Sequence, residues 1–404
     1  SSSEESSSDD DNESDDAKSS KSSKPARSKR EKQRAKRQRK RLKQQKRRDE
    51  DEERREAEAE AARVAERRAA KQHKKEEKKR LNRRRHRTVS LALPGSIIEN
   101  AQTSLLKTVL AGQIARAVTL FCVDEVVVFS ENSQLDLSGR LHDGVTADPN
   151  VFLARVLQYM ECPQYLRRAL FPMHADLKQI GVLPPLDAPH HMRREAVLPY
   201  REGVILDRPT RGDEGSYANV GLDREVLLDR KLKPRTRVTV RMDTEQNDHE
   251  QLVYRTHHNG RVHSGTIVSP HEPVRREGTF WGYRTRLAGS LAAVFSESPY
   301  ADGYDFTVGY DFSRGSGSSG ETADCGQRVA QLPEDTFDQC EHLLVVFGGL
   351  SGLAACLKAD TSLTVQDPAT LFDRYLTACP AQGSRTVRAE EAILISMSLL
   401  SPLL

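Results

Sequence analysis

No apolar run in this 404-residue chain reaches the ~18–20 residues needed to cross a bilayer. The longest candidates, Leu343–Cys356 and Ile393–Leu404, are interrupted by Gly, Ser or Pro, so no membrane association is expected. Cysteine is sparse, with six residues (122, 162, 325, 340, 356 and 379) and no CxxC pair. That excludes the common zinc frameworks and points to reduced thiols in cytosol or nucleus. The opening acidic Ser run does not read as a secretory signal. Residues 1–87 hold no Phe, Trp, Tyr, Ile, Met or Cys, and besides Ala their only apolar residues are Leu42, Val64 and Leu81. Such a segment cannot bury enough surface to offset its ordering entropy, so residues 1–86 are expected to be a solvated tail, disordered to helical.

What the tail has is charge. Residues 1–87 carry 32 Lys+Arg against 20 Asp+Glu, whereas residues 88–404 carry 31 against 39. Ser1–Asp16 alternates Ser with acids and suits kinases that act on acidic sites. Lys18–Arg48 holds 17 basic residues and a single acid, Glu31. Asp49–Leu81 mixes Glu, Arg, Lys and Ala without an a/d apolar repeat, which predicts an exposed helix held by i,i+4 pairs. The basic block reads either as a solubilising tail or as a nuclear or nucleolar address with loose nucleic-acid binding. The second is favoured because dense Lys/Arg runs release counterions from phosphate.

Beyond residue 87 the apolar share rises to roughly 42%, the level of ordinary globular chains. Thr88–Pro94 predicts a strand, Ile97–Phe121 a helix, Val123–Phe129 a strand and Val151–Phe171 a helix, the alternation of a parallel sheet covered on both faces. After Val197 the runs become short and β-branched: Gly203–Leu206, Glu225–Leu228, Thr236–Met242, Leu252–Thr256 and Val262–Val268. These predict a small antiparallel barrel, of which the OB-fold is one form. Val238, Val240 and Met242 face one way, while Arg237, Thr239 and Arg241 form a face that is either a nucleic-acid contact or ordinary half-solvated strand. The α/β pattern returns with strand Phe280–Thr285, helix Leu287–Phe295, and strands Asp305–Tyr310 and His342–Phe347. Helix Leu350–Leu357, the segment Leu371–Leu376, a polar loop Cys379–Thr386 and helix Arg388–Leu400 complete it. The expected organisation is therefore an α/β domain of residues 87–197 and 271–404, interrupted by a barrel at 198–270.

Several motifs carry little chemistry. Gly315-Ser-Gly-Ser-Ser-Gly320 fits GxGxxG, but no amphipathic helix follows it, so it reads as a mobile loop. His174, His190 and His191 with Asp176 and Asp187 lack the HxH or HxxxH spacing that chelates one ion, and no metal site is expected. There is no GxSxG elbow for a Ser-His-Asp site. Val345-Val-Phe-Gly-Gly-Leu-Ser-Gly352 says more: a buried strand ends in two glycines where backbone can approach a ligand. About 30 residues later Gln382-Gly-Ser-Arg-Thr-Val-Arg-Ala-Glu-Glu-Ala392 places small polar residues before a helix with Glu390 and Glu391 in its first turn. Two such loops at strand carboxyl ends form a candidate cofactor crevice.

This pair resembles the last two motifs of the SPOUT-class RNA methyltransferases, and more closely the eukaryotic branch called SPOUT domain-containing methyltransferase. Leu91-Ala-Leu-Pro-Gly-Ser-Ile-Ile, Ala111-Gly-Gln-Ile-Ala-Arg, Arg201-Glu-Gly-Val and Leu206-Asp-Arg-Pro-Thr-Arg carry the same resemblance, which covers about residues 87–400. It implies a C-terminal trefoil knot holding S-adenosyl-L-methionine, an OB-like insert that helps hold RNA, and a homodimer packed through the knots. It implies that Gly348, Gly349, Leu350, Thr377, Cys379, Gln382, Gly383, Ser384 and Thr386 line the cofactor. Arg314 matches an arginine that reaches the cofactor and could also stabilise charge on the acceptor base; a purely structural role is the alternative. The Gly-Ser run after Arg314 is longer than the family pattern, and Thr377 stands where the family has Asn. No general base stands out. The expected activity is RNA methyl transfer, on ribosomal or other structured RNA. The alternative is a non-catalytic RNA-binding or kinetochore- and spindle-associated protein that keeps the knot.

Overall fold

The computed structural model describes residues 87–404 apart from 134, 138–140, 143–144, 211–213, 247–251, 312–326, 350, 380–381 and 385–386, together with scattered positions between Lys36 and Lys74. The chain divides into two units, Ser1–Lys75 and Glu76–Leu404. In the first, every described position is helical and exposed, as the Ala/Glu/Arg/Lys composition of good helix formers predicts for Asp49–Leu81.

In the second unit the strands run, in chain order, β1 (Thr88–Pro94), β2 (Glu125–Phe129), β3 (Leu141–His142), β4 (Val145–Thr146), β5 (Tyr200–Ile205) and β6 (Tyr217–Asn219). They continue as β7 (Val226–Leu228), β8 (Arg237–Met242), β9 (Thr244–Gln246), β10 (Leu252–Tyr254), β11 (Thr256–His257) and β12 (Val262–Val268). The last are β13 (Arg284–Ala288), β14 (Phe306–Asp311), β15 (Gln327–Arg328), β16 (His342–Phe347) and β17 (Arg374–Thr377). The α-helices are α1 (Ser104–Leu120), α2 (Pro149–Glu161), α3 (Gln164–Leu170), α4 (Glu272–Glu277), α5 (Leu291–Ser296), α6 (Leu353–Ala359), α7 (Pro368–Leu371) and α8 (Ala389–Leu400).

Six strands form a parallel sheet in the order β13-β2-β1-β16-β14-β17, with the two-residue β15 beyond β17. The period of two sends alternate side chains to opposite faces. Leu91, Leu93, Val126 and Val345 pack with Ile114 and Val118 of α1, Leu153 and Leu157 of α2, and Ile393 and Met397 of α8. Ala92, Val127, Leu344 and Val346 pack on the other face with Leu291 and Val294 of α5 and Leu353 and Leu357 of α6. Burial on both faces is why Leu91–Leu93 of β1, Val126–Phe129 of β2 and Leu343–Phe347 of β16 read as apolar runs. Each fully buried Leu or Val contributes about 1.5–3 kcal/mol.

The structure corrects several element boundaries. The helix expected over 97–121 starts as a 3-10 turn, Gly95–Asn100, and restarts at α1, where the Thr103 side chain accepts from Leu106 N. Pro163, which lacks an N–H, divides 151–171 into α2 and α3. The strand expected at 280–285 begins only at Arg284, because Gly282 (φ +87°) takes a conformation outside the strand region. Helix α5 waits until Leu291, where Ser290 caps it by accepting from Ala293 N.

The insert is a closed barrel, β5-β6-β7-β12-β8 and back to β5. Its pairs are antiparallel except β7–β12, so it is mixed rather than antiparallel. Four of the five expected strands belong to it; Leu252–Tyr254 instead pairs with Thr244–Gln246 in a separate ribbon. The remaining barrel strand, β6, is three residues long and therefore shows no periodicity. Val238, Val240 and Met242 point into the barrel core as expected.

The opposite face of β8 is half-buried, with Arg237 and Arg241 part-exposed and their charges held by acids. Arg237 donates to both Glu161 oxygens (2.5 and 2.8 Å) and to Glu202 (2.7 Å), Thr239 donates to Glu202 (2.6 Å), and Arg241 pairs with Glu272 (3.1 Å). Trp281 Nε1 also donates to Glu202 (2.6 Å). This face joins the barrel to α2 and to the chain entering β13. Burial alone would raise the Glu161 pKa, but the Arg237 hydrogen bonds and charge, helped by His190, hold it at about 2.

No helix among the described residues is long and apolar enough to cross a membrane. The five described cysteines are free thiols. No group of metal-ligating side chains occurs among the described residues: His190 and His191 both contact the Glu161 carbonyl, and His174 Nδ1 accepts from Asp176 N.

Candidate functional site

In a parallel sheet all strands end at the same edge, so loops far apart in sequence meet there. β14 lies between β16 and β17, and Tyr310 stands opposite both Phe347 and Leu376. Gly348-Gly349 therefore emerges on one side of β14, and the segment beginning at Thr377 on the other. Thr377 is itself paired with Asp311, the last residue of β14. Of the expected site residues, Gly348, Gly349, Thr377, Cys379, Gln382, Gly383 and Ser384 belong to these two loops. Arg314, Leu350, Thr386 and the Gly315–Gly320 run lie outside the described residues.

Space requires glycine at Gly348, whereas at Gly349 a side chain would displace only the Glu131 carboxylate. A Cβ on Gly348 would lie 2.5 Å from Leu353 N and 2.7 Å from Gly352 C, both backbone atoms. A Cβ on Gly349 would lie 2.1 Å from Glu131 Oε1. Gly352, at φ +77°, turns the chain into α6 in the left-handed region that disfavours a side chain.

Glu131 was not found by sequence reasoning. It follows β2 at the same sheet edge and accepts hydrogen bonds from Ser96 Oγ, just after β1, and from Cys356 Sγ (3.3 Å) on α6. One carboxylate thus ties together the ends of β1 and β2, the glycine loop and α6. Burial, with the Glu131 charge beside it, pushes the Cys356 thiol up to about 12, so it stays protonated as a donor. The only signal for Glu131 in the sequence is an acid two residues after an apolar strand, which is too common to single out.

The second loop holds polar atoms that lack partners. Gln382 Nε2 is buried without a hydrogen bond, as is Glu390 Oε2 in the first turn of α8. Unpaired buried polar groups cost about 1–3 kcal/mol each, so a ligand that supplied partners there would recover that cost. Backbone held bare of side chains on one side and unsatisfied polar side chains on the other fit a small polar cofactor. No general base is evident among the described groups.

Comparison with known proteins agrees with this geometry. A family model described as "Putative RNA methyltransferase" matches residues 88–400. The 28S rRNA (uridine-N(3))-methyltransferase of Mus musculus is 48% identical over 80% of this chain and 78% of its own length. That of Homo sapiens is 48% identical over 80% of each, and that of Drosophila melanogaster is 45% identical over 78% of this chain and 61% of its own. The family match takes in the sheet, the barrel insert and both glycine-bearing loops, and the chain belongs to this family of RNA methyltransferases.

Proposed function

We propose that the chain transfers a methyl group from S-adenosyl-L-methionine to N3 of a uridine in large-subunit ribosomal RNA. The observation that carries this reading is the meeting of the Gly348-Gly349 loop and the Thr377–Ser384 loop on either side of β14. The relatives' uridine-N3 activity supports the choice of acceptor.

The cofactor supplies an electrophilic methyl group on sulfonium. The chain has to hold that centre, line up the acceptor nitrogen, and exclude water. Gly348 and Gly349 would bring backbone against the cofactor, and Gln382 Nε2 would be free to donate to it. N3 of uracil carries a proton between two carbonyls, and its loss spreads negative charge over both oxygens. Arg314, three residues after β14 in the chain, has the charge to stabilise that anion.

The same reading takes the C-terminal part as a trefoil knot and the insert as OB-like. Supporting the second is the barrel's closure order, first-second-third-fifth-fourth strand and back to first, with the third and fifth parallel. It takes the protein as a homodimer, supported by exposed Leu106 (51%) and Leu120 (52%) on α1 and Leu399 (41%) on α8, helices that share one core. It places the protein in the nucleus or nucleolus through the basic block Lys18–Arg48. Incubation with methyl-labelled S-adenosyl-L-methionine and ribosomal RNA, followed by nucleoside analysis, tests the activity. Labelled 3-methyluridine is expected; label in another nucleoside, or none, refutes the reading.

A further inference from the structure

A groove of about 1050 Å³ runs beside the last turn of α2, along α3 and the loop that follows. Its lining carries the basic residues Arg167, Arg168, His174 and Lys178 beside the neutral Gln164, with Tyr159 and Phe171 between them. The Arg167 guanidinium is fixed by the carbonyls of Cys162 (3.0 Å) and Met160 (3.2 Å), and lies 4.6 Å over the Tyr159 ring. Tyr159 and Phe171 meet edge to face at 5.3 Å. A second cavity of about 280 Å³ shares Arg168 and Pro172 and includes Arg235, on the loop that leads into β8. The basic strip thus passes from the α/β domain onto the barrel.

Residues 88–404 carry more acid than base, yet among the described residues neither cavity has an Asp or Glu in its lining. The nearest acid in sequence, Asp176, is buried and taken up by Arg155, Thr146 N and Thr146 Oγ1. Arg168, Lys178 and Arg235 are exposed and take part in none of the ion pairs described. Arg237, Thr239 and Arg241, the basic face that the sequence alone offered for nucleic acid, are each bound to an acid, Glu161, Glu202 or Glu272, that offsets its charge or accepts from its hydroxyl. Asn150, at the start of α2, accepts from Gly95 N at the carboxyl edge of the sheet. Tyr159 is nine residues further on, so the groove begins about 14 Å along the helix from that edge.

We infer that this groove holds a single-stranded segment of the RNA substrate, with phosphates on Arg168, Lys178 and Arg235 and an unstacked base against the Tyr159–Phe171 pair. Cations supply sequence-independent attraction, and aromatic faces accept any base that is not already stacked in a duplex. An acidic peptide would satisfy the cations but leave the rings unused. The inference rests on the RNA methyltransferase reading.

The test uses the full chain, so that the tail contributes equally to every variant. Binding of a labelled mixed-sequence single-stranded RNA is followed as salt is raised, with an equal-length duplex RNA and polyglutamate as competitors. The triple variant Arg168→Glu, Lys178→Glu, Arg235→Glu should bind at least tenfold more weakly at physiological salt. Three single-strand phosphate contacts at about 0.7 each should lower the salt slope by about 2. Tyr159→Leu, which keeps apolar bulk, should weaken binding about fivefold or more without changing the slope. Three reversals outside the groove, at Arg261, Arg275 and Lys358, should leave the slope within 1 of the parent. Titration with S-adenosylhomocysteine should be unchanged in every variant, separating this groove from the cofactor loops. Equal loss in the two triple variants overturns the inference, as does better competition by polyglutamate or duplex. If the parent chain binds the strand through the groove but methylates no RNA, the catalytic reading falls while the groove stands.

Discussion

Gly348 and Gly349 are neighbours, yet a methyl group added to each meets a different kind of obstacle. At Gly349 the obstacle is the Glu131 carboxylate, 2.1 Å from the new Cβ. That carboxylate must retreat by about an ångström and loosen its bonds from Ser96 and Cys356. At Gly348 the obstacles are Leu353 N at 2.5 Å and Gly352 C at 2.7 Å, backbone at the head of α6 that cannot move without shifting the helix. Overpacking of this kind costs about 1–3 kcal/mol. Gly349→Ala should therefore lose about that much stability, and Glu131→Ala in the same chain should recover at least half, a coupling of about 1 kcal/mol. Gly348→Ala should gain nothing from Glu131→Ala. In S-adenosylhomocysteine titration calorimetry, Gly348→Val should show no binding, while the Glu131→Ala, Gly349→Ala chain binds measurably. Thermal unfolding of the parent, the three single alanine variants and the two doubles with Glu131→Ala gives both stability cycles. The reasoning fails if Glu131→Ala rescues both glycine variants equally, or if Gly348→Val binds the ligand as the parent does.

Arg237→Ala should cost about 3–5 kcal/mol in denaturant unfolding, because it leaves Glu161 and Glu202 buried without their cation; a loss below about 1 kcal/mol would show the clamp to be unimportant. Acid should destabilise the protein in two stages. Burial, with His190 adjacent, pulls His191 down from 6.5 to about 4, so the unfolded chain takes up this proton first and stability falls as pH drops from 6.5 to 4. The second stage lies between 4.5 and about 2, where Glu161 finally protonates. Burial also holds His263 and His271 below 6.5, so His191→Gln should shrink the first stage by about 3 kcal/mol without abolishing it, and a variant whose stability falls as steeply below pH 6.5 as the parent's would refute the assignment. Deleting Ser1–Lys75 should leave S-adenosylhomocysteine affinity unchanged and weaken RNA binding chiefly at low salt. An unaltered salt slope would show that the tail does not touch RNA.

The parts of this molecule legible in its sequence are those dictated locally. β1, β2 and β16 stand out because strands buried on both faces are rich in apolar residues, and the first candidate loop because Gly348-Gly349 follows such a strand directly. β6 left no mark, since three residues cannot display a period, and β13 was displaced because nothing local announces the φ of Gly282. Side chains whose partners are remote were misread or missed. Arg237 looked like free basic surface because Glu202 and Glu161 are 35 and 76 residues away in the chain. Glu131 looked like any loop acid until the fold brought Ser96 and Cys356 to it. Strand order is likewise a long-range property: adjacency of β1 and β16 follows from no feature of either segment.

That adjacency has a consequence for how the chain comes to be folded during its synthesis. Thr88 pairs with His342, 254 residues later, so one edge of β1 has no partner until most of the chain exists. At ~5–20 residues per second the wait is roughly ten to fifty seconds. The barrel, by contrast, closes entirely within Tyr200–Val268 and can form while that edge is still open. Synthesis thus presents an assembled insert carried by a half-built sheet, whose flat apolar strand is a template for wrong pairing. A ribosome stalled before residue 342 would hold such a species indefinitely, and chains shortened to that point should be recovered in inclusion bodies rather than as smaller folded proteins.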